Sequence, residues 1–495
     1  MNYIVVQAGG KGTRLEHLTK NKPKALVPVN NLPMIFHLFN KFPDKKFIII
    51  GDYLKDVLKK YLNAFAKVDY QVVDATGTGT CGGLKSACDL IPDNERFMLI
   101  WSDLILSTDF CVPNDEDNYV GISNTFPCRW SYKDNEFIEE KSYENGVAGL
   151  FVFNNKAMLN DVPDSGEFVR WLSESKYIFK RLELSGTCEF GTLEEYNKLA
   201  VDKCRPFNKI TIENDILIKE PLDNQGIELA KNEINWYQKV KEFGFNDIPN
   251  IYSYEPLKME LIKGKNIYEY QDDSINVKSE ILINIIETLK RLHSLTATEV
   301  DKESVAETYI TKTFDRLKKI EDLVPFAKDE FITINNKKCR NVFYYKDLLI
   351  DKLNNIKVDN FNLIHGDCTF SNILLKEDKS SVLIDPRGYF GKTKLYGDPN
   401  YDWAKLYYSI VGDYDMFNLK KFRLTIDEDK VDLNIETNNW KELEEIFFNN
   451  IDADKETIKL LHAVIWLSLT TYAWQDYDSV CAAFYNGLLY LEEVL

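Results

Sequence analysis

The sequence predicts two domains: an α/β domain with a doubly wound, mostly parallel sheet, and an α+β domain with a small β-rich lobe and a large helical lobe. The chain has 495 residues, more than one hydrophobic core usually organises. Up to about residue 200, short apolar strands such as residues 3–6 and 97–101 alternate with plausible helices. From about Ser279 onward, amphipathic helical patterns dominate.

The predicted boundary between the domains falls in residues 201–207 (VDKCRPF), where a proline ends the last helical pattern of the first half. We therefore predict domains at residues 1–203 and 204–495, the second with its small lobe at about 204–265 and its helical lobe at about 266–495. Regular patterns in the second half predict a hairpin formed by residues 210–212 and 216–219, and a strand at residues 381–384. They also predict helices at residues 227–242, 280–295 and 458–495.

The composition excludes several classes of function. A formal net charge of −17 argues against nucleic acid as a partner, because such binding needs a basic face. The nine cysteines are scattered and form no C-x-x-C pair, which argues against structural zinc and a disulfide framework. No apolar run approaches the ~18 to 20 residues that cross a bilayer. We therefore expect a cytoplasmic protein that acts on a small molecule; the oligomeric state, a homo-oligomer included, stays open.

Residues 4–29 (IVVQAGGKGTRLEHLTKNKPKALVPV) combine a strand with a glycine-lined turn and several basic side chains. Small residues after a strand let backbone N–H groups approach phosphate oxygens. Arg14 and the run Lys20, Lys22 and Lys24 add cations. The spacing is neither G-x-G-x-x-G nor G-x-x-x-x-G-K-[ST], which excludes the dinucleotide and Walker patterns. The pattern predicts a nucleoside triphosphate site with these residues at the nucleotide: Ala8, Gly9, Gly10, Lys11, Gly12 and Thr13.

The run QAGGKGTRL together with KPKALVPV resembles the signature of the sugar-1-phosphate nucleotidyltransferase family, and the likeness extends through the first half of the chain. That family has a glycine-rich loop beside the base, to which Gly79 and Thr80 in GTCGGL correspond. Its E-K-P element, which holds sugar and phosphate, is matched by Glu140 and Lys141 in IEEKS.

Two acidic residues match the metal-binding positions of this family. Asp103 follows the apolar strand FMLIW, and a carboxylate at the carboxyl edge of a parallel sheet is well placed to bind Mg²⁺. Glu189 in CEFGTLEEY replaces the usual aspartate of a D-x-G-T element, which keeps the charge and lengthens the reach. The resemblance implies that Lys24 and Arg14 neutralise the phosphates while the acceptor attacks the α-phosphorus and pyrophosphate leaves. Gln7 is either a base contact or a buried, hydrogen-bonded amide.

A second constellation begins at His365, in HGDCTFSNILL followed by IDPRG. Asn372 stands five residues after Asp367, and Asp385 follows after one strand. This spacing is typical of a kinase, in which Asp367 positions the attacking hydroxyl and accepts its proton, while Asn372 and Asp385 hold magnesium. His365 is expected to brace the loop.

The parts that a kinase needs upstream occur in the expected order. Lys219 in ILIKE is predicted to clamp the ATP phosphates, and Glu233 in the next helix is its predicted ion-pair partner. Met259, Glu260 and Leu261 in KMELIKGKNI are predicted to form the hinge that meets adenine.

The form HGD, with IDPRG in place of DFG, resembles the aminoglycoside phosphotransferase and choline kinase family over about residues 207–495. The resemblance implies a small-molecule substrate, and the missing A-P-E segment argues against a protein substrate. Arg387 is expected either to pair with Asp398 or Asp402 as structure, or to meet an anionic group of the substrate.

The two resemblances together imply a bifunctional enzyme. The second domain would phosphorylate a small molecule with ATP, and the first would transfer CMP or UMP from CTP or UTP to the resulting phosphate, with Mg²⁺ at both sites. The loop at Gly79 and the Glu140–Lys141 element resemble the hexose-1-phosphate branch of the family. They favour a sugar or sugar-like acceptor, activated as a precursor of surface polysaccharide.

Two alternatives stay open. The chain is either a choline or amino-alcohol kinase and cytidylyltransferase that makes a CDP-activated headgroup, or a monofunctional protein with one degenerate, regulatory domain. Glu189 and the IDPRG variant permit the second alternative. The first would use C-terminal aromatic residues as a cation–π cage, although aromatic residues at helical spacing are more often core. They are Trp466, Tyr472, Trp474, Tyr477 and Phe484.

Overall fold

The computed structural model describes residues 1–175, 177–199 and 208–495. The chain divides into two compact units. The first consists of Met1–Asp202 with Trp474–Ser479, and the second of Lys203–Ala473 with Val480–Leu495. The predicted connector at residues 201–207 lies outside the described residues. Trp474–Ser479 groups with the first unit, whereas the sequence prediction assigned it to the second domain.

The first unit is built on a nine-stranded sheet with two small accessory pairings. Its strands are β1 (Tyr3–Gln7), β2 (Pro28–Val29), β3 (Leu32–Pro33), β4 (Lys46–Gly51), β5 (Asp69–Asp74), β6 (Phe97–Trp101), β7 (Leu104–Ile105), β8 (Tyr119–Ser123), β9 (Ser131–Lys133), β10 (Glu136–Ile138), β11 (Gly146–Phe153), β12 (Lys180–Glu183) and β13 (Cys188–Glu189).

The sheet is mixed rather than mostly parallel, which corrects the prediction. Strand β1 pairs in parallel with β4 and β6, and β4 pairs in parallel with β5. Strand β11, however, runs antiparallel to β6, β8 and β9, so it interrupts the α/β alternation. Its eight residues are all buried, and a fully apolar strand does not reveal its direction from sequence. Since β4 lies on one side of β1 and β6 on the other, the carboxyl end of β1 is where an open α/β sheet usually binds ligands.

One helix of this unit shows a single buried apolar face clearly. In the helix over Lys55–Phe65, the buried residues Leu58, Tyr61, Leu62 and Phe65 recur at the spacing of a single helical face. The α-helices are α1 (Met34–Lys41), α2 (Lys55–Phe65), α3 (Leu84–Asp89), α4 (Phe168–Ser175) and α5 (Leu193–Asn197), with 3₁₀ turns at Thr13–Thr19, Lys24–Leu26 and Lys156–Leu159.

The second unit begins with a four-stranded antiparallel sheet in the order β14 (Asn208–Glu213), β15 (Ile216–Pro221), β17 (Leu257–Glu260), β16 (Ile251–Tyr254). The turn between β14 and β15 is Asn214–Asp215, and both residues have positive φ (50° and 61°), as a tight hairpin turn requires. Helix α6 (Asn224–Glu242) follows β15 and is capped by Asp223, which accepts a 2.7 Å hydrogen bond from the Gly226 amide.

The rest of the second unit is mainly helical, with short strands between the helices. The helices are α7 (Ile275–Ser294), α8 (Lys302–Ala306), α9 (Lys312–Ile320), α10 (Lys346–Asn354), α11 (Pro399–Ile410), α12 (Tyr414–Asn418), α13 (Glu444–Asn450), α14 (Lys455–Leu469) and α15 (Tyr477–Leu491). The strands are β18 (Gly264–Asn266), β19 (Ala297–Thr298), β20 (Phe331–Ile334), β21 (Lys337–Arg340), β22 (Phe361–Leu363), β23 (Ile373–Lys376), β24 (Ser381–Leu383), β25 (Tyr389–Phe390), β26 (Thr393–Lys394), β27 (Tyr396–Gly397), β28 (Phe422–Ile426) and β29 (Val431–Ile435). Among the residues that the structure describes, no helix is long and apolar enough to cross a bilayer.

Lys22 is a buried cation of the first unit. Its side chain is 2% exposed, and its ammonium lies 3.0 Å from a carboxylate oxygen of Asp476 and contacts Asp478 as well. Burial disfavours the charged ammonium, but the charges of the two carboxylates outweigh it and raise the pKa of Lys22 above its usual value. Lys22 is therefore part of the structure of the first unit. The sequence had predicted that it supplies positive charge to a nucleoside triphosphate.

We expect Lys22→Met to destabilise the first unit by about 3–5 kcal/mol, because it leaves two largely buried carboxylates without their cation. The matched control is Lys46→Met, since Lys46 and Asp69 are both exposed and 3.8 Å apart; its effect should stay within about 0.5 kcal/mol. Thermal unfolding measures both. A Lys22→Met protein that unfolds at the wild-type temperature would contradict the structural role.

Candidate functional site

The glycine-lined turn after β1 brings a lysine close to the backbone. Gly12 has a φ of 62°, and a Cβ at this position would lie 3.0 Å from the Thr19 side chain and 3.1 Å from Lys24 Cβ. Only a residue without a side chain allows both the left-handed backbone and this approach. The turn therefore fixes Lys24 beside the carboxyl end of β1.

The two predicted metal-binding carboxylates lie next to each other. Asp103 follows β6, and Glu189 ends β13; the antiparallel pairing of β7 with β13 sets Glu189 opposite Leu104. The Phe190 amide donates to the Asp103 carbonyl oxygen at 3.1 Å. This short two-stranded pairing joins positions that are 86 residues apart in the chain, counted from 103 to 189.

Two predicted cations face these carboxylates. The Lys24 ammonium forms an ion pair with Asp103, and Arg14 Nη2 lies 3.9 Å from Glu189 Oε1. Lys24 and Asp103 are largely buried, whereas the Arg14 side chain is exposed. The structure thus brings together Arg14, Lys24, Asp103 and Glu189, as a nucleotidyl transfer site requires.

Gly191 makes room for the Glu189 carboxylate. A Cβ on Gly191 would lie 2.2 Å from Glu189 Oε1 and 3.2 Å from Arg14 Nη2. The glycine of the E-x-G-T element is therefore a requirement of this site, a role that the sequence prediction did not assign. Thr192 caps α5 by accepting a hydrogen bond from the Glu195 amide at 3.2 Å.

Glu189 has an unusual proton affinity. Burial and the neighbouring charge of Asp103 raise the pKa of Glu189 to about 7, against the opposing charges of Lys24 and Arg14. Burial and the Asp103 charge therefore favour the protonated form of Glu189 more strongly than the two adjacent cations oppose it. Mg²⁺ is commonly held by one or two carboxylates together with water and phosphate oxygens, so this donor set fits the ion. Among the described residues no group of three or more His, Cys, Asp or Glu side chains converges, so any further ligands would be of those other kinds.

Gln7 holds the second glycine loop. Its side-chain amide donates to the Thr80 carbonyl oxygen at 2.6 Å, and the Phe168 amide donates to the Thr80 hydroxyl at 2.7 Å. Gly79 has a φ of 77°, and a Cβ there would lie 2.4 Å from the Gly166 carbonyl oxygen. Of the two predicted roles of Gln7, the structure supports the hydrogen-bonded amide.

Other predicted residues of the first site lie apart from its carboxylates. Glu140 accepts hydrogen bonds from Ser131 (2.8 Å) and Lys133 (2.7 Å), and the exposed Lys141 lies over the Tyr143 ring at 5.3 Å. Within the described ranges, neither Glu140 nor Lys141 contacts Lys24, Asp103 or Glu189. The predicted nucleotide residues Lys11 and Thr13 line a cavity of about 440 Å³ together with Glu16, His17, Thr19, Lys20 and Tyr53.

In the second unit, Lys219 on β15 lies between two carboxylates. Its ammonium is 2.7 Å from Glu233 on α6 and 2.8 Å from Asp385 after β24. Burial disfavours the ammonium, but the charges of Asp385 and Glu233 raise the pKa of Lys219. The structure therefore joins three predicted residues that lie on three separate segments.

The loop from His365 is held in one arrangement. The Asn372 side-chain amide donates to the carbonyl oxygen of Asp367 at 2.8 Å and to its carboxylate at 3.1 Å. His365 Nε2 lies 2.9 Å from the Ile384 carbonyl oxygen, and the Asp367 amide donates to His365 Nδ1 at 3.2 Å. Burial lowers the pKa of His365, which favours the neutral ring that this pattern needs. His365 thus braces the loop, as predicted.

Two residues on α11 complete this site and were missed. Asp402 is fully buried and accepts hydrogen bonds from the amides of His365 (2.8 Å) and Gly366 (2.7 Å). Lys405, one helical turn later, forms an ion pair with Asp367 at 2.9 Å. The D-W-A-K run in this helix was a signal, because residues three apart lie on one helical face.

The predicted hinge offers fewer hydrogen-bond donors than expected. The amide of Glu260 donates to the Asn250 carbonyl oxygen at 2.8 Å. The amide of Leu261 donates to the Asp215 carbonyl oxygen at 3.0 Å. The Met259 side chain is buried. A base that meets this segment would therefore use its carbonyl groups or the amides that follow Leu261.

Arg387 does not pair with Asp398 or Asp402 in the described structure. Its guanidinium donates to the hydroxyls of Tyr401 and Tyr389, both at 3.0 Å. Asp398 instead accepts a hydrogen bond from Tyr309 at 2.7 Å. The predicted structural pairing of Arg387 is therefore wrong.

The five C-terminal aromatic residues are divided between the two units. Trp466 and Phe484 are fully buried in the core of the second unit. Trp474 and Tyr477 belong to the first unit, where their rings contact Phe36 and Tyr61. Only Tyr472 among the five is exposed, at 42%. The predicted aromatic cage is not formed by these side chains.

Comparison with known proteins shows a family likeness in part of the first unit. Residues 3–112 match the family model of the nucleotidyl transferases. Among curated relatives, the bifunctional protein GlmU of Methanococcus maripaludis is 26% identical over 149 residues, which are 30% of this chain and 34% of the relative. The mannose-1-phosphate guanylyltransferase catalytic subunit beta of Dictyostelium discoideum is 32% identical over 114 residues, which are 21% of this chain and 32% of the relative. The chain spans about a third of the length of these relatives.

Two solved structures are also similar to part of the chain. A UDP-glucose pyrophosphorylase complexed with UDP-glucose has 15% identity and a TM-score of 0.33, covering 40% of this chain and 96% of that chain. The CTP:phosphocholine cytidylyltransferase of Streptococcus pneumoniae has 21% identity and a TM-score of 0.32, covering 40% and 98%.

The residues that match the family model include the glycine-lined turn, Lys24 and Asp103. The paired strands β7 and β13 add Glu189 to the same cluster. The first unit of the chain therefore contains a nucleotidyltransferase domain.

Proposed function

We propose that the chain is a bifunctional enzyme that activates a small molecule in two steps. The second unit phosphorylates a hydroxyl group with ATP, and the first unit transfers a nucleotidyl group to the resulting phosphate. The observation that carries the first activity is the cluster of Lys24 and Arg14 with Asp103 and Glu189, inside a domain of the matching family. The second activity rests on the residues around Asp367 alone.

In the first unit, an oxygen of the acceptor phosphate attacks the α-phosphorus of the nucleoside triphosphate, and pyrophosphate leaves. Lys24 and Arg14 neutralise the charge that develops on the phosphates, and they hold them in line. Asp103 and Glu189 would hold Mg²⁺, which supplies further charge neutralisation to the phosphate oxygens. We infer CTP or UTP as the nucleotide and a sugar phosphate or a sugar-like phosphate as the acceptor.

In the second unit, Asp367 orients the acceptor hydroxyl and accepts its proton. Asn372 fixes the Asp367 carboxylate on one side, and Lys405 contacts it on the other. Lys219, held by Glu233, would bind the ATP phosphates. Asn372 and Asp385 would hold Mg²⁺ at this site.

The pairing of the two activities suggests a reaction order. A kinase makes a phosphate monoester, and a nucleotidyltransferase consumes one, so the product of the second unit suits the first. The final product is then a nucleotide-activated precursor of the kind used for surface polysaccharide. A choline substrate is less well supported because the aromatic residues proposed to cage it are dispersed. A degenerate, regulatory domain is also less well supported, because both sites retain their charged residues.

We expect Lys24→Ala to lower pyrophosphate release by about 100-fold or more, because one preorganised charge at the phosphates is lost. The assay supplies the purified chain with CTP or UTP, Mg²⁺ and a panel of sugar 1-phosphates. Lys46→Ala, which removes an exposed lysine of the same unit, is the matched control and should retain full activity. Absence of pyrophosphate release with every sugar phosphate and nucleotide would count against the nucleotidyl transfer proposal.

We expect Asp367→Asn to lower acceptor-dependent ADP formation by about 10²–10⁴-fold, because the proton acceptor is lost. Asp378→Asn, in the exposed turn after β23, is the control and should leave ADP formation unchanged. Each half-reaction is assayed with its own substrate supplied. If Asp367→Asn and Lys24→Ala both abolished both half-reactions, the proposal of two separate sites would be wrong.

The nucleotidyl transfer reaction should depend on pH through Glu189. With its pKa near 7, the carboxylate is lost to protonation as the pH falls through 7 and is regained above it. A proton competes with a metal ion for the carboxylate. The apparent dissociation constant for Mg²⁺ should therefore rise about tenfold from pH 8 to pH 6. Glu189→Gln should bind Mg²⁺ weakly and without this pH dependence. If the apparent dissociation constant of the wild type for Mg²⁺ stayed the same from pH 8 to pH 6, Glu189 would be excluded as a ligand.

A further inference from the structure

Four cationic side chains lie close enough to one another, on the side of Asp367, for their charges to interact: Lys312, Arg316, Arg387 and Lys405. Lys405 forms an ion pair with the Asp367 side chain at 2.9 Å. Within the part of the chain that the structure describes, the other three cations form no ion pair. All four are partly exposed, so they can be reached from solvent.

Arg387 is fixed in place without being neutralised. Its amide donates to the His365 carbonyl oxygen at 2.9 Å, which ties it to the loop that carries Asp367. Its guanidinium lies over the Tyr389 ring at 4.4 Å and donates to the hydroxyls of Tyr389 and Tyr401. These contacts satisfy part of its hydrogen-bonding capacity and leave its positive charge unpaired.

Lys312 and Arg316 extend the same cationic surface from α9. They stand four residues apart, so they share one face of the helix. A π-helical turn over Glu307–Thr311 precedes this helix, and the Tyr309 ring in it lies 6.2 Å from that of Tyr401, the residue that binds Arg387. Such turns are often found at functional sites.

Neither residue forms an ion pair with a carboxylate of the described residues, although the charge of Asp367 acts on Lys312. The guanidinium of Arg316 donates to the carbonyl oxygen and hydroxyl of Ser468, and it lies 6.0 Å from the centre of the Tyr472 ring. Lys312 forms no hydrogen bond or ion pair with any described residue. Burial, followed by the charges of Arg387, Arg316 and Lys405, lowers the pKa of Lys312 well below its usual value. An anion in this place would relieve the mutual repulsion.

We propose that the molecule phosphorylated by the second unit carries an anionic group, a carboxylate or a phosphate, which Lys312, Arg316 and Arg387 bind while its hydroxyl group lies at Asp367. The inference rests on the proposed kinase function. In the reaction, the hydroxyl oxygen forms a bond to the γ-phosphorus of ATP, the bond to the ADP oxygen breaks, and the hydroxyl proton passes to Asp367. A quaternary ammonium would be repelled, since Tyr472, the one exposed member of the predicted cage, faces Arg316.

Anion binding is tested directly by calorimetry on the full chain, with Mg²⁺ and a non-hydrolysable ATP analogue at saturation. Inorganic phosphate and acetate are the two probes, and they distinguish a phosphate-binding from a carboxylate-binding site. We expect one of them to bind to the wild type and to Asp367→Asn, and to lose about tenfold or more in affinity in Lys312→Met and in Arg316→Met. Lys318→Met, which removes an exposed lysine of the same helix, is the control and should bind as the wild type does.

Measurements of turnover show whether the anionic group that binds to these cations belongs to the acceptor or to ATP. ADP formation is measured with glycerol, glycerate and glycerol 3-phosphate, with glucose, glucuronate and glucose 6-phosphate, and with choline. We expect an acidic member to exceed its neutral partner, and Lys312→Met and Arg316→Met to raise the KM for that acid while the KM for ATP is unchanged.

The outcomes separate this inference from the kinase proposal. Preference for choline or a neutral acceptor, a KM change for ATP alone, or no loss of anion binding in the two variants would overturn the inference and leave the kinase in place. Anion binding that depends on Lys312 and Arg316, without ADP formation from any acceptor, would keep the anion site and count against the kinase. If neither probe binds to the wild type, the anion site is wrong.

Discussion

A lysine paired with carboxylates organises each of the two candidate sites. In the first unit Lys24 contacts Asp103, and in the second Lys219 lies between Glu233 and Asp385. A charge removed from water is costly unless it is compensated, so each lysine constrains the segments that carry its partners. The rest of each site is arranged around this pair: the glycine turn gives Lys24 its position, and α6 presents Glu233 to the sheet.

The pairs also prepare the sites for phosphate. An ammonium held by a carboxylate is already oriented, so binding an anionic ligand requires less ordering of a flexible side chain. In the first unit, burial of the Glu189 carboxylate and the nearby charge of Asp103 raise the pKa of Glu189. A divalent cation between these two carboxylates would favour the ionised form of Glu189.

The parts of these sites that local sequence determines were predictable. The turn after β1 requires glycine at Gly12, and the hairpin at Asn214–Asp215 requires residues that accept positive φ. The spacing from His365 to Asn372 fixes a single loop, which the structure forms as expected. In each case the residues that define the turn or loop belong to one short segment, so their pattern carries the local geometry.

The parts that depend on distant pairing were not predictable. Asp103 and Glu189 were placed in one site only by the family resemblance, because the two-residue strands β7 and β13 that join them leave no periodic pattern. The antiparallel course of β11, which makes the sheet mixed, is likewise a tertiary choice for a fully apolar strand. Lys405 was missed because its partner Asp367 lies in another element, although the helical spacing of α11 put Asp402 and Lys405 on one face.

The cations of the second unit that form no ion pair contrast with the negative net charge of the whole chain. A net charge of −17 repels small anions at long range and slows their arrival. Salt screens that repulsion beyond about 8 Å at physiological ionic strength, so a cluster of cations dominates at short range. Holding Arg387 on neutral tyrosine hydroxyls, with Lys312 left unpaired, disfavours the empty site because like charges lie close together. Such repulsion has no structural benefit of its own, since neutral side chains would pack there at lower cost. It becomes useful when an anionic substrate removes it, and the same charges then discriminate an acid from its neutral analogue.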